Sequence, residues 1–227
     1  MRIVKNNDRG SINIIVAVIL LLIVGGLTAV AATGAVNIPI VTSLLGTDKP
    51  IDLGVEVDPA IYDAMLEEYQ INLKDPPSEY WLTRDIIYSD PAPMDVSLSS
   101  SQLSSYLQVS NNDGPLKQIQ VRLGDENNAE LSAYVDLRDH GVNFKGPVYI
   151  SGDIKKASDA SIELNFDSVK VGLIPVPGSL QEEGEKALEN VINTNLGRMP
   201  GLHIDELSIE SGNLNFQGDY PKTAAVV

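Results

Sequence analysis

Between Ile14 and Val36 the chain runs for 23 residues without a charged side chain, with only Gly and Thr among the apolar residues. As an α-helix this run measures roughly 34 Å, enough to cross a hydrocarbon core of about 30 Å. It predicts a transmembrane helix over residues 12–37. Arg2, Lys5 and Arg9 precede it against the single acid Asp8, and no basic residue follows before Lys49. The excess of positive charge on the short flank places residues 1–11 in the cytoplasm and the rest of the chain outside, as a single-pass protein of the cell membrane.

Two other readings of the same run stay open. A cleaved secretory signal would use Ala29-Val30-Ala31 or a neighbouring small-residue triplet as its cut site, although such apolar cores usually span about 7–15 residues. A pilin-type leader would be cut after Gly10, but Ile15 stands where that class has Glu. The chain has no cysteine, which excludes a lipid-attachment site, a disulfide scaffold, a zinc–thiolate centre and a thiol nucleophile.

Beyond the apolar run, with Arg2, Lys5, Arg9 and Asp8 set aside, 13 basic and 30 acidic residues remain, a balance of −17. That excess excludes a general nucleic-acid binder. It also argues against a part that rides on anionic headgroups, since the only adjacent basic pair is Lys155-Lys156. Residues 38–50 read as a tether, 51–220 as one extracytoplasmic domain and 221–227 as a flexible tail.

Within the domain, Ile51–Val57 alternates apolar with polar residues, the period of a half-buried strand. Asp58-Pro59 supplies an N-cap and a first-turn proline for a helix to about Tyr69. Pro76-Pro77 marks a break. Tyr80–Tyr88 is strand-like, Pro91 and Pro93 interrupt it, and a serine of the Ser99–Ser101 cluster caps a short helix carrying Leu103, Tyr106 and Leu107. Asn111–Gly114 is a turn. Ile119–Leu123 and Leu131–Leu137, each of period two around the polar turn Asp125–Asn128, predict a hairpin, which Val148, Ile150 and Ile154 extend into a meander.

The apolar phase slips by one residue between Phe166 and Val169, and again between Ile204 and Leu207. Such a slip turns side chains to the opposite face unless a bulge absorbs it, so bulges or sharp bends are expected near Asp167-Ser168 and Asp205-Glu206. From Ser179 to Arg198, apolar or small residues at 180, 184, 187, 188, 191, 192 and 196 define one helical face. Glu182, Glu183, Glu185, Lys186, Glu189 and Asn193 cover the other, which reads as solvated. Ser179 with Glu182 has the form of a capping box. A terminal hairpin closes the chain around Ser211-Gly212. The expected fold class is α+β: a coiled antiparallel sheet wrapped on a long amphipathic helix.

The chemistry of catalysis is sparse. His140 and His203 have no second His or Cys for a metal, and both read as solvated. No G-x-S-x-G, Walker, G-x-G-x-x-G or H-E-x-x-H sequence is present. Asp125–Asn128 offers oxygen ligands for calcium but lacks EF-hand spacing and reads more simply as a turn. Trp81 reads as a packing residue. The chain is therefore expected to be no enzyme, with no cofactor and no metal site.

The order of Val96–Leu107, Ile119–Leu137, Val169-Lys-Val-Gly-Leu-Ile-Pro-Val-Pro177, the long helix and Leu202–Gly218 resembles LmeA-like phospholipid-binding proteins of the tubular lipid-binding superfamily. The likeness covers residues 94 to 220 and rests on element order and amphipathic pattern. It implies an apolar groove for lipid between sheet and helix, and no catalytic residues. If small residues such as Gly184 and Ala187 hold sheet and helix apart, Val169, Val171, Leu188, Val191, Ile192 and Leu196 line that groove. If the helix packs tightly, the same residues are core. The expected partners are accordingly the membrane through the N-terminal helix and a lipid or other apolar ligand. The alternative is a structural or assembly module of the cell envelope that meets another protein.

Overall fold

The structure, a computed structural model, describes residues 49–68, 86–110, 116–136, 138–140 and 145–226. The cytoplasmic flank 1–11, the transmembrane helix 12–37, nearly all of the tether 38–50, the break at Pro76-Pro77, Trp81 and the Asn111–Gly114 turn lie outside these residues. No helix among those described is long and apolar enough to cross a membrane.

In chain order the elements are α1 (Pro59–Glu68), β1 (Ile86–Ser99), α2 (Ser100–Ser110), β2 (Leu116–Leu123), β3 (Asn128–Asp136), a 3-10 turn (Arg138–His140), β4 (Lys145–Ser158), β5 (Ser161–Val171), β6 (Ile174–Pro175), α3 (Gly178–Leu196), β7 (His203–Glu210) and β8 (Asn213–Val226). The fold is α+β. A five-stranded antiparallel sheet runs in the order β2-β3-β4-β5-β6, and a three-stranded one in the order β1-β8-β7.

Both phase slips become bulges. Ser151 faces Ser168 and Gly152 faces Phe166, so Asp167 is the extra residue of β5. Ile204 faces Gly218 and Glu206 faces Gln217, so Asp205 is the extra residue of β7. Each bulge is opposed by a glycine because the bulged backbone presses inward. A Cβ on Gly152 would stand 2.2 Å from the Asn165 carbonyl oxygen, and one on Gly218 would stand 1.9 Å from that of His203.

Two helix starts follow their signals, while α3 starts at Gly178, before the expected Ser179 cap, with the Pro177 carbonyl accepting the Leu180 and Gln181 N–H groups at 2.9 and 3.0 Å. Asp58 accepts the Ala60 N–H at 2.7 Å. Ser99 and Gln102 close a reciprocal capping box before α2, with Ser99 Oγ accepting the Gln102 N–H at 3.2 Å and Gln102 Oε1 accepting the Ser99 N–H at 3.0 Å.

Three expectations are corrected. Ile51–Val57 joins neither sheet; of these residues only Leu53 is buried, and its backbone is met by β2 side chains, Gln120 Oε1 accepting its N–H at 2.7 Å and Arg122 donating to its carbonyl at 3.4 Å. The β2 edge that a strand would need is taken by α2. Pro91 and Pro93 do not interrupt β1, which pairs with β8 along its length; as the outer strand it has a side where no N–H is required. Residues 221–226 are strand rather than tail: β8 continues to Val226, paired with Ile86.

One apolar core joins both sheets and all three helices. The β2–β3 turn brackets the two sheets together: Asp125 accepts the Ser211 N–H at 2.7 Å, and Asn127 Oδ1 accepts the Ile209 N–H at 2.9 Å. Those side-chain oxygens, weighed above as calcium ligands, are thereby engaged by backbone.

Candidate functional site

The long helix α3 presents two adjacent stripes of period four. Gly184, Leu188, Ile192 and Leu196 are buried and pack into the core. Beside them, Gln181, Glu185, Glu189 and Asn193 bond to the backbone of β5. Asn193 pairs with both the N–H and the carbonyl of Ile162, each at 2.9 Å. Glu189 accepts from Leu164 at 3.2 Å, Glu185 accepts from Phe166 at 2.5 Å, and Gln181 donates to the Phe166 carbonyl at 2.6 Å. Four helical residues advance about 6.0 Å and two strand residues about 6.7 Å, so the two repeats keep step over several bonds. Glu185, Glu189 and Asn193, read above as a solvated face, instead complete the edge of the sheet where β6 does not reach.

At the opposite edge α2 does the same for β2. Ser100 Oγ accepts the Leu123 N–H at 3.0 Å, Ser104 Oγ accepts the Val121 N–H at 2.8 Å, and Gln108 Oε1 accepts the Ile119 N–H at 3.0 Å. Both long edges of the five-stranded sheet are thus closed by helices, which blocks strand addition there.

Of the residues expected to line an apolar groove, Val169, Val171, Leu188, Ile192 and Leu196 are each buried to 7% exposure or less. Val191 lies in α3, but its side chain is outside the described residues. A cavity of about 70 Å³ opens elsewhere on the inner face of the sheet, over Ala129, Leu131, Ile150, Ile154, Leu164 and Phe166, with Leu188 forming its helical wall. Leu188 is the one residue shared by this lining and the expected set. The small residues Ala129 and Gly152 face each other across β3 and β4 and leave the floor low. The signal in the sequence is that pair of small residues among inward-facing Leu and Ile.

The exposed walls of the cavity are almost wholly apolar, with Glu130 and Asp153 also at its border, so what it offers is chiefly dispersion and desolvation. His203 is 46% exposed between two carboxylates, its Nε2 3.2 Å from Asp205 and its Nδ1 3.7 Å from Asp159. His140 lies in the 3-10 turn, its side chain outside the described residues. No cluster of three His, Asp or Glu able to hold a metal occurs among the described residues.

On the outer face of the sheet, Arg122 is paired with Glu130, which also accepts from the Tyr149 hydroxyl at 2.6 Å. Partial burial, reinforced by the Glu130 carboxylate, raises the Tyr149 pKa. Comparisons with family models, with curated proteins and with solved structures each found no match to this chain.

Proposed function

We propose that the protein is a membrane-anchored, extracytoplasmic, non-enzymatic binding module whose ligand is an apolar group seated in the cavity between the five-stranded sheet and α3. The cavity carries this reading: a partly open, apolar hollow over Ala129 and Gly152, walled by Leu188. Its volume of about 70 Å³ is well below the roughly 300–1,000 Å³ of sites that enclose a drug-sized ligand. The ligand is therefore the end of an acyl chain or a single aliphatic group, with the rest of the molecule outside. A site of this size is smaller than the full lipid groove that the resemblance to LmeA-like proteins implies. The uncharged run Ile14–Val36 supports the anchor.

Titration of the purified outer domain with a fluorescent fatty acid tests the reading. Saturable binding that a non-fluorescent fatty acid displaces is the expected result. Absence of saturable binding would overturn it.

A second reading, an assembly module of the envelope acting through protein contacts, is favoured by the burial of Val169, Val171, Ile192 and Leu196, which makes the far end of the trough core rather than groove.

A further inference from the structure

Although the chain is strongly acidic, its charges are segregated. One end of the outer face of the five-stranded sheet gathers Lys117 and Arg122 from β2, Lys145 from β4 and Lys170 from β5, with Arg138 just beyond β3. The carboxylates of this end are Glu130, Asp136 and Asp139, with Asp52 hydrogen-bonded to Gln120, so it carries a local balance of +1 in a chain of −15. Aromatic rings are interleaved with the cations. Lys117 stands opposite Tyr134 and Tyr149 opposite Lys170, whose Nζ lies 5.1 Å from the Tyr149 ring centre. Leu173, 60% exposed, projects from the adjoining β5–β6 turn. Asp95, Glu206, Glu210 and Asp219, by contrast, lie on the three-stranded sheet.

The chain also arrives at this face. Leu53 is held against it by Gln120 and Arg122, and Asp52 by Gln120, so the described chain enters the domain beside the cations. We propose that this basic and aromatic face docks on the anionic headgroups of the membrane from which the chain hangs. The inference rests on the anchored reading of the N-terminal run. Charges beyond about 8–10 Å are largely screened at moderate salt, so the local balance governs rather than the total. Lys and Arg are drawn to anionic headgroups and Tyr to the interface. Turned this way, the face holds the domain with its acidic sheet outward.

The absence of cysteine makes the test clean. The full chain carrying L173C is labelled with an environment-sensitive fluorophore and incorporated into vesicles of phosphatidylcholine alone or with phosphatidylglycerol. E210C on the acidic sheet is labelled in parallel. The expected result is a blue shift for L173C with phosphatidylglycerol only, reversed between about 0.1 M and about 1 M salt, and none for E210C. Replacing Lys117, Lys145 and Lys170 by Gln lowers the docked fraction, roughly fivefold in the docking equilibrium for each lysine, with melting unchanged.

Flotation after carbonate washing reads the anchor separately. A chain that floats but shows no lipid-dependent shift overturns the docking face and leaves the anchor standing. A chain that does not float but shows the salt-sensitive shift supports the face and overturns the anchor, and failure of both overturns both. A response to polyglutamate rather than to vesicles would assign the face to an acidic protein and overturn the membrane assignment.

Discussion

Asn193 of α3 pairs with the backbone of Ile162 in β5 as a neighbouring strand would, accepting its N–H and donating to its carbonyl, both at 2.9 Å. Asn193→Ala leaves both groups without a protein partner, and the expected loss is about 1–3 kcal/mol. Asn190→Ala, on an exposed position of the same helix, should change stability by no more than about 0.5 kcal/mol. Urea unfolding of the two variants measures the difference.

Ser104 is fully buried and bonds to both backbone groups of Val121, accepting at 2.8 Å and donating at 3.2 Å. Ser104→Ala should cost a similar amount and accelerate hydrogen exchange at the Val121 amide more than at the Leu131 amide. Equal acceleration at both would show that the loss is global rather than at the edge.

These helix–strand ladders were the least legible part of the fold. A polar stripe beside an apolar one has the same period whether it meets water or a strand edge, so Glu185 and Glu189 read as solvated. The bulges at Asp167 and Asp205 were legible because a slip of one residue in an alternating pattern has only one cheap geometric outcome. Pro91 and Pro93 misled because the sequence does not say that β1 is an outer strand. The cavity was half legible: Leu188 stood in the pattern, but Ala129 and Gly152 acquire meaning only when β3 and β4 bring them opposite each other. The basic face was hidden for the same reason, its cations being spread over β2, β4, β5 and the turn after β3.

Gly152→Ala and Gly218→Ala should each be strongly destabilising, since the added carbon meets fixed backbone at 2.2 Å and 1.9 Å, and Gly218 also has φ +152°. The cost is at least the roughly 1–3 kcal/mol of an overpacked core. Gly178→Ala, where nothing lies within 4 Å, should be neutral or stabilise by up to about 1 kcal/mol. Melting temperatures of the three variants check the order.

Burial raises the pKa of Tyr62 and of Tyr88 to about 12 and holds that of Tyr220 well above its usual value of 10. In the unfolded chain these phenols ionise near pH 10, so between about pH 10 and 12 the folded state binds more protons and stability falls as pH rises. Their contribution is fully present below pH 10. Unfolding midpoints should therefore drop across that window. Spectroscopic titration should show late-ionising tyrosines in the folded protein that merge with the rest in urea.

Ala129→Leu directs a larger side chain into the cavity floor. With about 70 Å³ of space there, melting should hold or rise while displaceable fatty-acid binding is lost. A fall in melting temperature would mean that the space cannot take the added carbons.

If the hollow between Leu188 and the Ala129–Gly152 floor holds an apolar group, that group should travel with the purified protein. Native mass spectrometry of the outer domain, purified without detergent, tests it most directly. The expected spectrum contains a population carrying one bound lipid or fatty acid that Ala129→Leu removes. A spectrum of bare protein alone, unchanged after incubation with fatty acid, would contradict it.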